Sequence, residues 1–402
     1  MATPVVSILI ATKNRQEYAY ETIKHILSFS KNNFELVISD NSDSNELSIL
    51  VEEFQVDPRL KYEYIASPIS SIHNFRNVIE MSSGEYICLI GDDDGISHEF
   101  FTAVELASKN NMDCLVGSLT ANYRWAGTEQ VNTIFTKMTD STLVLDSFTC
   151  KMGKVDTEDS LKKLIRNGFT NYLQFSLPKL YHGIVKRNKF EEIKSLTGEY
   201  LGGLSPDIYA SVALSLLKCK TYEIDFPITI PGVCKVSSSV QEGVAKTHSL
   251  DIKDLPHLRY RGEYKWNSQV PKVYNVNCIW AESALAAFSD VSECIDMAMS
   301  SQLRLYAYIL SNQPKARSLV LEHYRVANKL NSKIGHVKPI FHAIIEFLMG
   351  PVLCFLNQRA LGRLKIFIRM REVTDIRELD TIGDASEALE KFCIKNNKTI
   401  KQ

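Results

Sequence analysis

Three consecutive carboxylates, Asp92, Asp93 and Asp94, close an apolar run that reads Tyr86-Ile-Cys-Leu-Ile-Gly-Asp-Asp-Asp-Gly95. Adjacent negative charges at the mouth of a strand repel one another and weaken a fold that gains nothing from them. A hard divalent cation carrying a diphosphate turns that repulsion into binding, because carboxylates plus substrate phosphates are what Mg2+ or Mn2+ prefers. The flanking glycines let the backbone turn sharply and approach a ligand closely. On this string alone a solvated acidic turn is an equal alternative. Two other polar clusters follow strand-like runs, Thr12-Lys-Asn-Arg15 and Asp40-Asn-Ser-Asp-Ser44. A further carboxylate, Asp207, opens an apolar helix after Ser205-Pro206, and by itself reads as a helix-dipole partner with Ser205 as cap.

The elements that must position these groups alternate strand and helix. The β-branched run 5–11 is of the kind found in buried parallel strands. It is followed by a helix through Tyr20, Ile23 and Leu27, a strand 34–39, a helix through Leu47 and Phe54, and a short strand 61–65. A helix from Ser70 to Met81, the strand 86–90, another helix and a strand 114–118 complete the first part. This alternation predicts βαβ units and a mostly parallel sheet flanked by helices. Ligands then sit beyond the carboxyl ends of the strands, where the clusters at 12–15, 40–44 and 92–94 converge. Further on, 179–185 reads as a strand, 187–190 opens a helix, 208–217 is an apolar helix, 220–226 a strand, and 232–247 a loop. From about 270 helical periodicity takes over. The expected division is an α/β domain 1–255, with halves 1–118 and 119–255, and an α-helical C-terminal region 256–402.

Composition narrows the function classes. With 402 residues, 45% hydrophobic and 23% charged, the chain can bury two or more cores. A net charge of −1 gives no global attraction to nucleic acid. Nine scattered cysteines without a CxxC or zinc spacing predict reduced thiols. The N-terminus lacks the regions of a signal peptide, and no uninterrupted apolar run has transmembrane length, so a cytoplasmic or peripheral protein is expected.

The segments VVSILIATKNR, FELVISDNS, FRN followed by GEYICLIGDDD, and SPDIYASVAL, in this order and spacing, make the first 240 residues resemble the GT-A fold glycosyltransferases of family 2. Arg124-Trp125 resembles the end of the processive synthases' signature, but its glutamine is missing and its position is too early, so the likeness is to non-processive members. The resemblance implies metal-dependent, inverting transfer of a sugar from a nucleotide-sugar to a saccharide hydroxyl, in bacterial surface polysaccharide assembly. It implies donor binding by Thr12, Asn14, Arg15, Asp40, Arg76 and Asp92. Asp93, supported by Asp94, would hold Mn2+ or Mg2+, and Asp207 would act as the base. Gly91 stands where the family often has its first aspartate. The donor implied is a UDP-sugar, and the acceptor a saccharide or an undecaprenyl-diphosphate-linked one; a homo-oligomer is compatible. Arg76 is as readily a solvated helix residue. His182 is expected in the acceptor pocket or, more simply, packed; Lys246 and His248 could close over the diphosphate. The apolar and basic stretch 340–371 suits either an interfacial helix on anionic lipid or a core or dimer helix. Two other classes compete: a sugar-nucleotide pyrophosphorylase, disfavoured because Ala11-Thr-Lys-Asn-Arg15 contains no glycine, and a degenerate domain kept for binding or scaffolding.

Overall fold

The computed structural model describes residues 3–128, 139–236, 250–330 and 373–401. Residues 340–371, Lys246 and His248 lie outside them.

The first strands are β1 (Val6–Thr12), β2 (Phe34–Asp40), β3 (Leu60–Tyr64) and β4 (Tyr86–Ile90), with α1 (Gln16–Leu27), α2 (Glu46–Leu50) and α3 (Ser71–Met81) between them. There follow β5 (Gly95–Ile96), α4 (Phe100–Lys109), β6 (Cys114–Gly117), β7 (Ala121–Arg124), β8 (Thr142–Asp146), β9 (Met152–Lys154) and α5 (Thr157–Arg166). The second part carries β10 (Gly183–Lys186), α6 (Arg187–Thr197), α7 (Pro206–Leu216), β11 (Thr221–Ile224), β12 (Thr229–Ile230) and β13 (Gly232–Val233).

Eight strands form the central sheet in the order β3-β2-β1-β4-β10-β6-β11-β9. β3, β2, β1 and β4 run parallel, as does the β6–β11 pair; β10 enters antiparallel between β4 and β6, and β9 closes the edge antiparallel to β11. Register sets Thr12 beside Asp40, and Asp40 beside Tyr64, at the carboxyl edge. Alternation along the strands serves two cores. Leu9, Val37, Ile87 and Leu89 face one; Ile8, Ile10, Leu36, Ile38, Cys88 and Ile90 face the other.

α7 is apolar on nearly every side, and a helix of that kind must be covered all round. It lies between the sheet's core and α8 (Val276–Val291), which with α9 (Met299–Asn312) and α10 (Arg317–Leu330) makes the expected helical layer. The chain then does something its sequence did not suggest. β14 (Val373–Arg377) pairs with β8, and α11 (Ile382–Lys395) docks on α1 and β5 instead of joining that layer. α11 starts in a capping box, Thr381 with Asp384, and Ser386 Oγ donates to the Ile96 carbonyl at 2.9 Å, just past the acidic triplet. The described cysteines are all free. Among the described residues no helix is long and apolar enough to cross a membrane.

Candidate active site

The triplet leaves β4 into a turn whose three main-chain carbonyls are all held by side chains. Thr22 of α1 donates its hydroxyl to the carbonyls of Asp92 and Asp94, at 3.1 and 2.9 Å, and the Trp125 indole N–H donates to that of Asp93 at 2.8 Å. With its backbone fixed, the turn aims each carboxylate separately. Asp92 Oδ2 accepts from Thr12 Oγ1 at 2.6 Å and Oδ1 from Arg15 Nη1 at 2.9 Å. Asp93 Oδ1 faces the same guanidinium at 3.6 Å, and its Oδ2 accepts from the Cys234 N–H at 3.3 Å. Asp94 Oδ1 accepts from the Gly232 N–H and Oδ2 from the Gly91 N–H, both at 2.6 Å, and the Tyr181 hydroxyl reaches Oδ2 at 3.2 Å. Gly232 can come so close because it has no Cβ: one built there would lie 1.7 Å from the Asp93 carbonyl oxygen.

All three carboxylates are buried, so charge is costly here. Burial pushes Asp94 up to about 6 despite its two amides. Burial also raises Asp92, opposed by Arg15 and reinforced by Asp93. Burial works against the Arg15 charge as well, but Asp92 and Asp93 outweigh it and hold the guanidinium firmly protonated. Arg15 Nη2 donates to the Val236 carbonyl at 2.9 Å, tying the turn that follows β13 to this charge cluster.

The other sequence candidates are distributed around this centre. Asn14, with φ 57°, joins the β1 turn to the β2 turn by exchanging hydrogen bonds with Asp43 at 2.8 Å. Asp40 is buried, with Oδ1 accepting from the Ser42 N–H at 2.9 Å and Oδ2 from the Tyr62 hydroxyl at 2.7 Å. Arg76 is not turned to the triplet: its Nε donates to the Leu201 carbonyl at 2.8 Å and Nη1 pairs with Glu199 at 3.1 Å. That contact links α3 to the segment leading into α7.

Asp207 stands in the first turn of α7, partly exposed. Ser205 occupies the cap position, but its side chain makes no capping bond. The approach is instead fixed from the helical layer, where Ser283 Oγ of α8 accepts the N–H groups of Leu204 and Ser205 at 2.9 and 2.8 Å. Burial pushes Asp207 up to about 6, countered by a hydrogen bond from Tyr172 and reinforced by the nearby charge of Asp94. Asp207 therefore lies within electrostatic reach of Asp94, and Tyr181 within reach of both.

His182 is buried, with Nδ1 3.0 Å from Thr229 Oγ1 and Nε2 3.4 Å from Asp94 Oδ2. Burial lowers its pKa to about 3, so it is a neutral ring and the contact with Asp94 is no ion pair. The partners Tyr172, Tyr181, Trp125, Thr22 and Ser283 are the residues that sequence reasoning missed in these roles. Three are aromatic and read as core; only Trp125 had been noticed, for another signature. Among the described residues no three His, Cys, Asp or Glu side chains form a ready metal cage. One or two carboxylates suffice for Mg2+ or Mn2+ when a diphosphate supplies the other oxygens. Asp93 and Asp94, adjacent buried carboxylates on this fixed turn, are the residues that would hold it.

Comparison with known proteins agrees with this geometry. Residues 7–148, from β1 through β8, match the model of glycosyl transferase family 2. The Campylobacter jejuni GalNAc(5)-diNAcBac-PP-undecaprenol beta-1,3-glucosyltransferase is 27% identical over 147 residues, 33% of this chain and 47% of that enzyme. The putative colanic acid biosynthesis glycosyl transferase WcaA of Escherichia coli is 35% identical over 95 residues, 23% of this chain and 33% of its own. The alignments thus span about half or less of these relatives. Staphylococcus aureus TarS 1-349, in its crystal structure with UDP-GlcNAc, aligns over 98% of this chain and 93% of its own, at 13% identity and a TM-score of 0.43. A likeness that distant adds nothing to the fold, which rests on the strand order above. What the comparisons show is therefore a match of residues 7–148, the segment that carries β1 to β8 and the acidic turn, to glycosyl transferase family 2.

Proposed function

We propose that the chain transfers a sugar, with inversion and metal assistance, from a nucleotide-sugar donor to a hydroxyl of a saccharide or lipid-linked saccharide. The observation that carries this is one buried, Arg15-compensated acidic turn within electrostatic reach of a separate carboxylate, Asp207, with Tyr181 in reach of both. In the reaction the acceptor oxygen attacks the anomeric carbon, the bond from that carbon to the diphosphate breaks, and the diphosphate departs with the electron pair. The attacking hydroxyl is a poor nucleophile, and Asp207 takes its proton as the new bond forms. Mn2+ or Mg2+ on Asp93, with Asp94 in support, would neutralise the charge of the departing diphosphate. Arg15, Thr12 and Asp92 form the rim against the nucleotide, with Asp40 and Asn14 at the adjoining strand ends. Residues 1–118 would thus serve the donor and 119–255 the acceptor.

The relatives named for polysaccharide and undecaprenol-linked assembly support a bacterial surface saccharide as the acceptor class. A UDP-sugar donor and a cytoplasmic site, peripheral to the inner membrane face, follow from the same reading. The test is release of nucleoside diphosphate from a panel of nucleotide sugars with Mn2+, Mg2+ or EDTA. Metal-dependent release from one donor is expected. Failure of every donor to bind would overturn the reading in favour of a scaffolding domain.

A further inference from the structure

Gly91 and Tyr181 are far apart in sequence but share one volume. A Cβ at position 91 would lie 2.5 Å from the Tyr181 hydroxyl oxygen and 2.9 Å from Asp94 Oδ2, so no side chain fits there while the hydroxyl is present. That hydroxyl is delivered by a turn built for the purpose. The His182 N–H donates to the Leu89 carbonyl at 2.9 Å, and the Leu89 N–H donates to the Leu180 carbonyl at 3.1 Å. These two bonds fasten residues 180–182 to β4, the strand that ends in the acidic triplet. His182 adopts φ 61°, which a non-glycine residue keeps only where its surroundings enforce it. Gly183 is obligatory, since a Cβ there would meet the Lys179 carbonyl oxygen at 2.0 Å.

The side chains use this placement. The Tyr181 hydroxyl donates to Asp94 Oδ2 at 3.2 Å, and the ring stacks edge-on against His182, which faces the same oxygen. Tyr181 is partly exposed and feels the charges of Asp94, Asp93, Asp207 and Asp92. It is thus an uncharged hydrogen-bond donor between two groups of carboxylates.

We propose that Tyr181 takes the place of a side chain at position 91 and is the positioning residue that fixes Asp94 and couples the acidic turn to the acceptor side of the crevice. This rests on the transfer reading above for its kinetic consequence, but not for its geometric one.

The experiment is a double-mutant cycle on Gly91→Ala and Tyr181→Phe in the full chain, read by thermal melting and by transfer kinetics. Gly91→Ala alone is expected to lower the melting temperature and to cost about a hundredfold in kcat, as overpacking does at a tight site. Tyr181→Phe alone is expected to cost about tenfold in kcat, the scale of one hydrogen bond to a charged group, with donor KM within about twofold and melting little changed. Together they are expected to recover part of the melting loss of Gly91→Ala, since removing the hydroxyl relieves the shortest of the contacts a Cβ would make. Additive melting losses, or a Tyr181→Phe enzyme with unchanged kcat, would overturn the proposal. If the wild type binds no donor, the transfer reading fails by itself, and the melting cycle still decides whether the two residues are a pair.

Discussion

On the donor side, Asp92 and Asp94 have each carboxylate oxygen engaged by a hydroxyl, a backbone amide or Arg15, and even the carbonyls of their turn are held. At the start of α7, Asp207 leans on Tyr172 and its own backbone N–H. The difference teaches what each is suited to do. A carboxylate held by several fixed donors offers a stationary negative charge, which suits a cation and a diphosphate. A partly exposed carboxylate with few fixed partners is open to an incoming hydroxyl and can take its proton. The two come within electrostatic reach of each other with β10 inserted between β4 and β6 and the approach to α7 fixed from α8.

The largest expected effects test this division directly. Asp207→Asn keeps the shape but not the proton acceptor, and should lower kcat by about a thousandfold, within the usual range for a general base, while donor KM is kept. Next comes Arg15→Gln, which leaves Asp92 and Asp93 without their cation. Donor KM should rise by about tenfold in a titration against nucleoside diphosphate release, while kcat is less affected.

A pH profile sharpens the comparison further. Asp207 must be ionised to act, so kcat should fall below about pH 6, following its raised pKa. Tyr172→Phe removes a bond that lowers that pKa, so the acid limb should move to higher pH, with a small loss at the plateau. An unmoved limb would assign the titration to another carboxylate.

The smallest effect on activity is expected at Glu282, a buried carboxylate of α8 that accepts from Asn267 N–H at 3.0 Å and Tyr264 Oη at 3.1 Å. Burial pushes it up to about 7. A raised carboxylate contributes stability that is complete below the ordinary carboxylate range and is lost as pH rises through the folded value. Melting should therefore weaken between about pH 4.5 and 7, and Glu282→Gln should flatten that slope with transfer activity retained.

Much of the sheet around the acidic turn could be read from sequence because its signals are local. β-branched runs mark β1 and β2, and each polar cluster falls at a strand's carboxyl end, where the parallel sheet gathers it. The rest depends on long-range pairing that periodicity does not encode. The stretch 179–185 looks like one strand, yet only Gly183–Lys186 is β10, and the residues before it turn to carry Tyr181. Arg76 has the right residue type for a phosphate, but the orientation of α3 commits it to Glu199 and Leu201. The Thr381–Asp384 capping box announces a helix, while nothing local says that it returns to β5 behind the acidic turn.

The central claim is that Asp93 and Asp207 serve different steps of one transfer. The most direct measurement is donor binding beside transfer, in the presence of Mn2+, for wild type, Asp93→Ala and Asp207→Asn. Both variants are expected to lose transfer, with metal-dependent donor binding lost only in Asp93→Ala and kept in Asp207→Asn. Full transfer by Asp207→Asn, or undiminished metal-dependent donor binding by Asp93→Ala, would contradict the account.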